Sequence, residues 1–359
     1  MWPDRRILDL FGIAHPIIQA PMAGNTTPQM VIAVAQAGGL GSLASAQYTP
    51  TQAREAILTV RAATTKPINV NFFCHTTPAP DATHTETWRA ALEPYYLEFG
   101  LDPHDMPSGA GRTPFDAELC AIVEETRPEI VSFHFGLPVQ PLLDRVRATG
   151  AKIISSATTV AEARWLEENG CDAIIAMGWE AGGHRGTFLE GAVARQVGTF
   201  ALVPQVVDAV RVPVIAAGGI ADARGIVAAF ALGASAVQIG TAYLFTPEAT
   251  VSPVHRAALD SVTDEGTVVT NVFTGRPARG VVNRLVRERG PLSPDVPEFP
   301  FASAPLVPLR ARAEERGSGD FTNMWSGQAA RLARPVPAGE LTRTLAAQAL
   351  AWLTGKPGR

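Results

Sequence analysis

The segment Val214-Ile-Ala-Ala-Gly-Gly219 decides between two folds that the rest of the chain would allow, a (β/α)8 barrel and a doubly wound open sheet. Its first four residues form a short apolar run, typical of a parallel strand buried on both faces, and two glycines follow directly. The next apolar run, 236–239, is likewise followed by Gly240 and Thr241. Many (β/α)8 barrels bind phosphate with loops after their last two strands. A doubly wound open sheet usually carries its phosphate-binding glycines after the first strand, so the late glycines favour the barrel.

Eight short apolar runs, including this one, alternate along the chain with stretches of helical spacing. Helix-like stretches such as 159–169 and 222–232 are followed by glycines, which suit the C-terminus of a helix. Eight βα units in this order predict an α/β fold, the (β/α)8 or TIM barrel. The predicted strands are residues 17–20, 40–43, 68–73, 130–135, 152–155, 173–176, 214–217 and 236–239.

Two regions fall outside this repeat. Residues 75–114 are too long for a simple βα loop, so we expect an insertion after the third strand, over the active face. Prolines cluster in 291–308, where they predict an extended linker. Residues 267–289 are expected to contribute to the last barrel helix. The predicted organisation is a barrel of residues 1–74 and 115–290, an insertion of residues 75–114, and a segment 291–359 that contains the proline-rich linker and a C-terminal helical lid.

Composition and charge exclude several classes of partner. The chain has 359 residues, of which 46% are hydrophobic, and its 30 basic and 34 acidic residues give a formal charge of -4 without a basic run. Such a sequence offers no electrostatic footprint for nucleic acid or for an anionic membrane surface. We therefore expect a small-molecule substrate and no nucleic-acid or membrane partner. A homo-oligomer is compatible with the sequence.

The location is predicted from targeting signals and cysteine usage. The start of the chain lacks the apolar core of a signal peptide, and no run approaches the roughly 18 apolar residues of a membrane span. Cys74, Cys120 and Cys171 are odd in number and widely spaced without CxxC, which indicates neither a disulfide framework nor a zinc site. These features predict a cytoplasmic protein.

The carboxyl ends of barrel strands meet on one face, where the connecting loops carry function. Asn71 lies near the end of the third predicted strand, where its amide could either bond core backbone or contact the edge of a heterocycle. For Gly218-Gly219 and Gln238-Ile-Gly-Thr241, phosphate binding is favoured over a plain strand end. His75 and His134 lack a second ligand at metal-binding spacing, so no catalytic metal is expected. For both histidines, the residues themselves favour a buried, hydrogen-bonded role.

His184 stands between glycines in Glu180-Ala-Gly-Gly-His-Arg-Gly186, after the sixth predicted strand. Glycine lacks a Cβ and lets backbone approach a flat ligand closely, while histidine has the unperturbed side-chain pKa nearest neutrality. An isolated loop histidine is more often structural than catalytic. Because His184 shares its barrel face with Asn71 and the late glycines, we predict that it is a catalytic residue beside a flat cofactor.

Together these motifs resemble the nitronate monooxygenase family, formerly called 2-nitropropane dioxygenases, whose members are FMN-dependent barrel enzymes. The resemblance covers most of the chain and rests on the order and spacing of the motifs rather than on any one of them. The motifs are Gln19-Ala-Pro-Met-Ala-Gly24, Asn69-Val-Asn-Phe-Phe-Cys-His75, Ser132-Phe-His-Phe-Gly-Leu-Pro138, Glu180-Ala-Gly-Gly-His-Arg-Gly186, Ala216-Ala-Gly-Gly-Ile220, Gln238-Ile-Gly-Thr241 and Met324-Trp-Ser-Gly-Gln328.

The resemblance implies an FMN cofactor at the carboxyl face of the barrel, with its phosphate at Gly219 and residues 238–241. The residues implied to bind the cofactor are Pro21, Met22, Ala23, Asn71, Met177, Gly182, Gly183, Gly218, Gly219, Gln238, Ile239, Gly240 and Thr241. Met177 departs from the family, which commonly has glutamine after the sixth strand. A thioether cannot donate a hydrogen bond, so the flavin environment or the pocket shape would differ here.

The resemblance also implies a role for His184, which matches the family's active-site histidine. It would act as a base toward the α-carbon of a nitroalkane or orient an anionic nitronate. The residues implied to line the substrate pocket are His75, His134, Trp325 and Gln328.

The activity implied by the resemblance is FMN-dependent oxidation of alkyl nitronates, or of nitroalkanes, by O2 to carbonyl compounds and nitrite. Two reductases on the same barrel are alternatives: an FMN-dependent enoyl-acyl carrier protein reductase, which shares the Ala-Gly-Gly-His stretch, and an NAD(P)H:quinone reductase. A non-catalytic flavin-binding sensor is an alternative of another class. The Phe-Phe-Cys-His and Trp-Ser-Gly-Gln segments favour the monooxygenase.

Overall fold

The computed structural model describes residues 1–189 and 193–355, and eight parallel strands form its centre. These eight begin and end within two residues of the predicted runs. In chain order the strands are β1 (Ile17–Gln19), β2 (Gly41–Ala44), β3 (Ile68–Phe73), β4 (Ile130–His134), β5 (Lys152–Ala157), β6 (Ala173–Met177), β7 (Gly183–His184), β8 (Val214–Ala217), β9 (Ala236–Ile239), β10 (Thr267–Thr270) and β11 (Ala278–Val281). Strands β7, β10 and β11 form a separate antiparallel sheet.

Helices follow most of the strands, and several begin at a Thr or Asp whose side chain accepts a backbone N–H. Thr49 and Gln52, for example, form a reciprocal capping box. Within the described ranges, no helix is both long and apolar enough to cross a membrane. The helices are α1 (Arg6–Phe11), α2 (Pro28–Gln36), α3 (Pro50–Ala63), α4 (Ala82–Glu98), α5 (Ala117–Thr126), α6 (Gln140–Ala148), α7 (Val160–Glu168), α8 (Thr199–Ala209), α9 (Ala223–Ala231), α10 (Thr241–Leu244), α11 (Pro253–Ser261), α12 (Arg284–Arg289), α13 (Leu306–Glu315) and α14 (Ala338–Leu353).

The eight parallel strands close into a barrel. Their order is β1-β9-β8-β6-β5-β4-β3-β2, and a parallel bridge between Ile18 and Leu40 joins the two ends of this series. The N–H of Gln19 donates to the carbonyl oxygen of Leu40 at 2.9 Å. Nearly every residue of these strands is buried, as expected where helices cover the outside and side chains fill the inside. The prediction of a (β/α)8 barrel is confirmed, because a doubly wound sheet would leave both edges open.

Helix α14 belongs to the wall of the barrel. It packs against α2 and α9, and it buries one apolar face that includes Leu341 and Leu345. The hydroxyl groups of Tyr243 and Thr342 lie 2.8 Å apart and link this helix to α10. The chain thus returns to the barrel after leaving it at β9, and α14 supplies the helix that lies between α9 and α2.

This arrangement corrects the expectation for residues 267–289. Residues 267–289 do not supply the last barrel helix, because the β-branched run Thr267–Thr270 pairs with Ala278–Val281 and forms the β10–β11 hairpin, with Gly275 in the turn at a φ of 86°. Within the segment 291–359, helix α14 buries its apolar residues against the barrel wall, so α14 itself does not form the predicted lid. Of the segment 291–359, residues 356–359 lie outside the described part.

A second hydrophobic core lies outside the barrel, where α4 meets the chain that follows β10. Trp88, Tyr96 and Phe321 are buried there. The indole N–H of Trp88 donates to the carbonyl oxygen of Ala302 at 3.2 Å, and the hydroxyl of Tyr96 donates to that of Pro305 at 2.6 Å. The helix of the 75–114 region therefore packs on the C-terminal half of the chain. The division of the chain into the three predicted parts stays a prediction.

Candidate active site

A cavity opens at the carboxyl ends of the barrel strands. Its empty volume is about 1330 Å³, including the part open to solvent. Most of the predicted site residues line it, namely Pro21, Met22, Ala23, Asn71, His134, Met177, Gly182, Gly183, His184, Gly218, Gly219, Gln238, Gly240, Thr241 and Trp325.

Three predicted residues lie outside this lining. Ile239 is fully buried, because it points into the hydrophobic core at the end of β9. Gln328 is exposed, and its backbone N–H donates to the carbonyl oxygen of Glu180 at 3.0 Å. His75 is buried, its ring centroid is 4.7 Å from that of Phe299, and neither ring nitrogen has a hydrogen-bond partner within the described residues.

The imidazole of His184 is held by the antiparallel sheet and enclosed by aromatic rings. In the β7–β11 pairing, His184 lies opposite Ala278. Its Nε2 lies 2.9 Å from the hydroxyl oxygen of Thr274. The closest aromatic ring centroids are those of Trp325 at 5.4 Å and Phe299 at 5.5 Å. The side chain is therefore fixed at the cavity wall with little access to bulk water.

Burial lowers the pKa of His184 well below its usual value of 6.5. The nearby charge of Arg112, the neighbouring His134 and the charge of Arg276 lower it further. Both effects disfavour the imidazolium, since a cation loses its hydration on burial and is repelled by other cations. His184 is therefore neutral at pH 7, and its pKa is lower than the near-neutral value expected of an ordinary histidine.

His134 supports the backbone of the loop that carries His184. Its Nε2 lies 3.2 Å from the carbonyl oxygen of His184, and its Nδ1 lies 2.6 Å from the hydroxyl oxygen of Ser156. A carbonyl oxygen only accepts, so Nε2 carries the proton and Nδ1 accepts from the serine. Burial, with a contribution from the charge of Arg276, lowers the pKa of His134 to about 3. It is a neutral, hydrogen-bonded residue that also lines the cavity.

Glycines form the cavity wall between the sixth and eighth barrel strands. A Cβ on Gly182 would lie 2.5 Å from the backbone nitrogen of Gly327, so only glycine lets these two loops pack so closely. Gly218 and Gly219 have φ angles of 113° and 71°, a region that favours glycine. The wall is therefore made of backbone, which allows a phosphate or a flat ring system to approach its N–H groups.

Two amide side chains at the cavity have hydrogen-bonding capacity left for a ligand. The side-chain oxygen of Gln238 is buried and has no partner in the described part of the chain. Asn71 donates from Nδ2 to the hydroxyl oxygen of Ser132 at 2.9 Å and to its carbonyl oxygen at 3.2 Å. The carbonyl oxygen of the Asn71 side chain is thus the group that can bind a ligand. An unpaired buried acceptor costs about 1–3 kcal/mol, so a ligand that donates to Gln238 would be stabilised.

Buried arginines hold the loop that leads from β6 to His184. Arg185 donates from Nη2 to the carbonyl oxygen of Met177 at 3.2 Å, and Arg279 donates from Nε to that of Trp179 at 3.1 Å. Both guanidinium groups lie over the Trp179 ring, at 5.6 and 4.9 Å from its centroid. Glu180 accepts from both the backbone N–H and the hydroxyl of Thr199 at 2.8 Å. These contacts fix the turn in which Gly182 and His184 lie.

Four residues near His184 were not foreseen, namely Arg112, Thr274, Arg276 and Asn323. Arg112 comes from the 75–114 region, whose packing leaves no periodic signal in the sequence. Thr274 and Arg276 belong to the turn between β10 and β11, and the β-branched run 267–270 followed by Gly275 is the signal that could have predicted this hairpin. Asn323 directly precedes the Met-Trp-Ser-Gly-Gln motif.

Comparisons with known proteins agree with this geometry. The sequence profile described as "Nitronate monooxygenase" matches residues 4–348. A nitronate monooxygenase of Pseudomonas aeruginosa is 42% identical over 342 residues, which cover 95% of this chain and 97% of that protein. The solved structure of a nitroalkane oxidase from Streptomyces ansochromogenes superposes with a TM-score of 0.87 at 37% identity, covering 98% of this chain and 99% of that one.

A further solved structure, that of FabK from Thermotoga maritima, is similar over 99% of this chain and 98% of that one, with a TM-score of 0.72 and 28% identity. The family profile spans nearly the whole chain, including the β7–β11 sheet and the 323–329 segment at the cavity. The chain is an oxidoreductase and belongs to the nitronate monooxygenase family.

Proposed function

We propose that the protein binds FMN in this cavity and oxidises alkyl nitronates with O2 to carbonyl compounds and nitrite. The observation that carries the proposal is the neutral, buried imidazole of His184 on the same cavity as a glycine-built wall and two amide groups that can bind a heterocycle. The membership of the chain in the nitronate monooxygenase family supports it.

The residues of the cavity fit FMN. Gly218, Gly219, Gly240 and Thr241 would hold the phosphate with backbone N–H groups and a hydroxyl. The loop 21–23 and Gly182 would flank the ring, while Asn71 and Gln238 would accept hydrogen bonds from it. Bound FMN supplies the acceptor for the electrons of the nitronate and the means of passing them to O2.

His184 would act through its Nδ1 atom. The hydroxyl of Thr274 donates to the carbonyl oxygen of Arg276 at 3.3 Å, and its one hydrogen is thereby committed. The contact between this hydroxyl and His184 then requires that Nε2 carries the proton and donates it to Thr274. Nδ1 keeps its lone pair and can accept the α-proton of a neutral nitroalkane. A nitronate has already lost that proton, so it needs only to be oriented.

The low pKa of His184 favours the nitronate as substrate. A base of low proton affinity removes a carbon-bound proton slowly, whereas a neutral imidazole with cationic neighbours imposes no repulsion on an anion. We therefore propose that nitronates are oxidised faster than the nitroalkanes from which they derive.

The test combines three measurements on the purified protein. Absorption spectra should show bound FMN, oxygen uptake and nitrite release should follow addition of an alkyl nitronate, and His184→Ala should keep FMN while losing turnover of a neutral nitroalkane. A yellow protein that consumes no oxygen with any nitronate would refute the proposal. Rapid anaerobic bleaching by NAD(P)H with turnover of an enoyl thioester or a quinone would instead identify a reductase.

A non-catalytic flavin-binding role is tested by the same variant. If His184→Ala binds FMN as tightly as the wild type and neither protein turns over any donor, the binding role is favoured over catalysis. The matched control is His104→Ala, which removes an exposed histidine from the 75–114 region and is expected to leave every measurement unchanged.

A further inference from the structure

A second cavity adjoins the first one. It lies between the 107–112 segment and the region around α13, and its empty volume is about 950 Å³. Arg112 and Asn323 line both cavities. Thr274, which contacts the imidazole of His184, also lines the second cavity. The two cavities are therefore neighbours, and Arg112 stands at their boundary.

The second cavity is positively charged. Arg112 and Arg310 line it, and no Asp or Glu does so among the residues that the structure describes. The Nε atom of Arg112 is buried and has no hydrogen-bond partner within those residues. Its guanidinium carbon lies 5.7 Å from the centroid of the Phe299 ring. Among the described residues, Arg310 makes one long contact of 3.4 Å, from Nη1 to the side-chain oxygen of Asn323.

A partly desolvated guanidinium without a carboxylate partner is a binding site for an anion. Burial lowers the pKa of Arg112 to about 10, and no acidic group in the described part of the chain opposes that effect. At neutral pH the side chain is still cationic, so it carries an uncompensated charge in a region of low dielectric. A small anion with oxygen atoms would supply the missing partner and could accept from two N–H groups at once.

In the proposed reaction, the nitronate and the nitrite are anions that carry two oxygens on nitrogen, whereas the nitroalkane and the carbonyl product are neutral. The charged side chains that line the second cavity, Arg112 and Arg310, are both cations, and the charges of Arg112 and Arg276 act on the His184 ring, while Glu180 lines the first cavity. The electrostatic field along this path therefore distinguishes the ionic species of the reaction from the neutral ones.

We propose that the second cavity is the passage through which the nitronate enters and the nitrite leaves, and that Arg112 binds these anions at its inner end. This inference rests on the proposed function. It makes Arg112 the residue that determines the preference for a nitronate over the neutral nitroalkane with the same carbon chain.

The first test is Arg112→Gln, with Arg211→Gln as the matched control. Arg211 is exposed and lies just before β8, at the opposite end of the barrel, so the control makes the same charge change away from the cavities. In Arg112→Gln, kcat/KM for ethyl nitronate should fall at least about tenfold, as on loss of a desolvated charge partner. The value for nitroethane should hold or rise, because a neutral substrate loses no ion pair and loss of the Arg112 charge raises the pKa of the base His184. Equal losses for both substrates would overturn the inference.

The second test narrows the passage. Ser108 is exposed and lines the second cavity, so Ser108→Trp should fold and obstruct the cavity, while Ser108→Ala serves as its control. We expect kcat/KM to fall in the tryptophan variant, and more steeply for butyl than for ethyl nitronate. FMN affinity should be unchanged in both variants. Equal kcat/KM values for the two variants with both nitronates would exclude the second cavity as the route.

A binding measurement separates this inference from the proposed function. Nitrite should bind to the FMN-loaded wild type in isothermal titration and bind at least about tenfold more weakly to Arg112→Gln. If the wild type oxidises no nitronate, the proposed function fails, yet weaker nitrite binding by the variant would still support an anion site at Arg112. If nitrite binds both proteins equally, the anion site fails even where nitronate oxidation persists.

Discussion

Replacing Thr274 by valine should disturb the base without touching the cofactor. Thr274 does not line the first cavity, and valine has nearly its shape but lacks the hydroxyl that lies 2.9 Å from Nε2 of His184. His184 is only 8% exposed, so water cannot replace this partner. A buried N–H without an acceptor costs about 1–3 kcal/mol. The imidazole can avoid that cost by rotating or by moving its proton from Nε2 to Nδ1. In either case the lone pair of Nδ1 is no longer available to accept the substrate proton.

The expected loss follows from that cost. About 1–3 kcal/mol corresponds to a fall of about 5- to 150-fold in kcat/KM for a neutral nitroalkane. Oxidation of the matching nitronate should fall much less, because it requires no proton transfer to His184. The assay is oxygen uptake with both substrates, and Thr274→Ser is the control that restores the hydroxyl. Equal rates in Thr274→Val and the wild type, or equal losses in the valine and serine variants, would refute the role of this hydrogen bond.

Three further predictions concern pH, the glycine wall and the C-terminal helix. His134 and His255 have pKa values lowered by burial to about 3 and about 4, so below pH 6.5 the unfolded chain binds more protons than the folded one. Each histidine should therefore contribute stability that is complete above pH 6.5 and declines by up to about 1.4 kcal/mol per pH unit below it. Melting temperatures between pH 7 and pH 5 should fall less steeply for His134→Asn than for the wild type, and parallel curves would contradict this. Gly182→Ala should weaken FMN binding, because its Cβ would lie 2.5 Å from the backbone nitrogen of Gly327. Equilibrium titration with FMN measures this, and an affinity equal to that of the wild type would contradict the prediction. Deletion of residues 338–359 should give an aggregated or unfolded barrel by circular dichroism, whereas a lid could be removed with the barrel intact.

The barrel was predictable because each of its strands is identified by a short, continuous segment of sequence. Strands such as Ala173–Met177 and Val214–Ala217 are apolar along their whole length, and that pattern is characteristic of parallel strands buried on both faces. The glycines after them mark loops at the carboxyl ends. The positions of His184, Gly182 and Asn71 at one cavity were predictable for the same reason. Each of them lies at or after the carboxyl end of a barrel strand, and these ends meet on one face of the barrel.

The contacts that decide the chemistry are long-range and left no such pattern. Thr274 contacts His184 across 90 positions of sequence, and Arg112 reaches the cavity from a region without regular periodicity. The low pKa of His184 depends on burial and on these cations, so the unperturbed value of histidine gave no guide to it. The amphipathic pattern of α14 indicates that one face of the helix is buried, but not that this face packs against α2 and α9.

Because α14 lies near the end of the described chain, the wall of the barrel is completed late in synthesis. The apolar faces of α2 and α9 pack against α14, the last of the described helices to be synthesised, about 300 residues after α2. While the ribosome translates the intervening chain, those faces are exposed and the barrel wall has a gap. Contacts of such sequence separation form slowly, and exposed apolar stripes promote aggregation. We therefore expect the yield of folded protein in the cell to increase with the supply of chaperones.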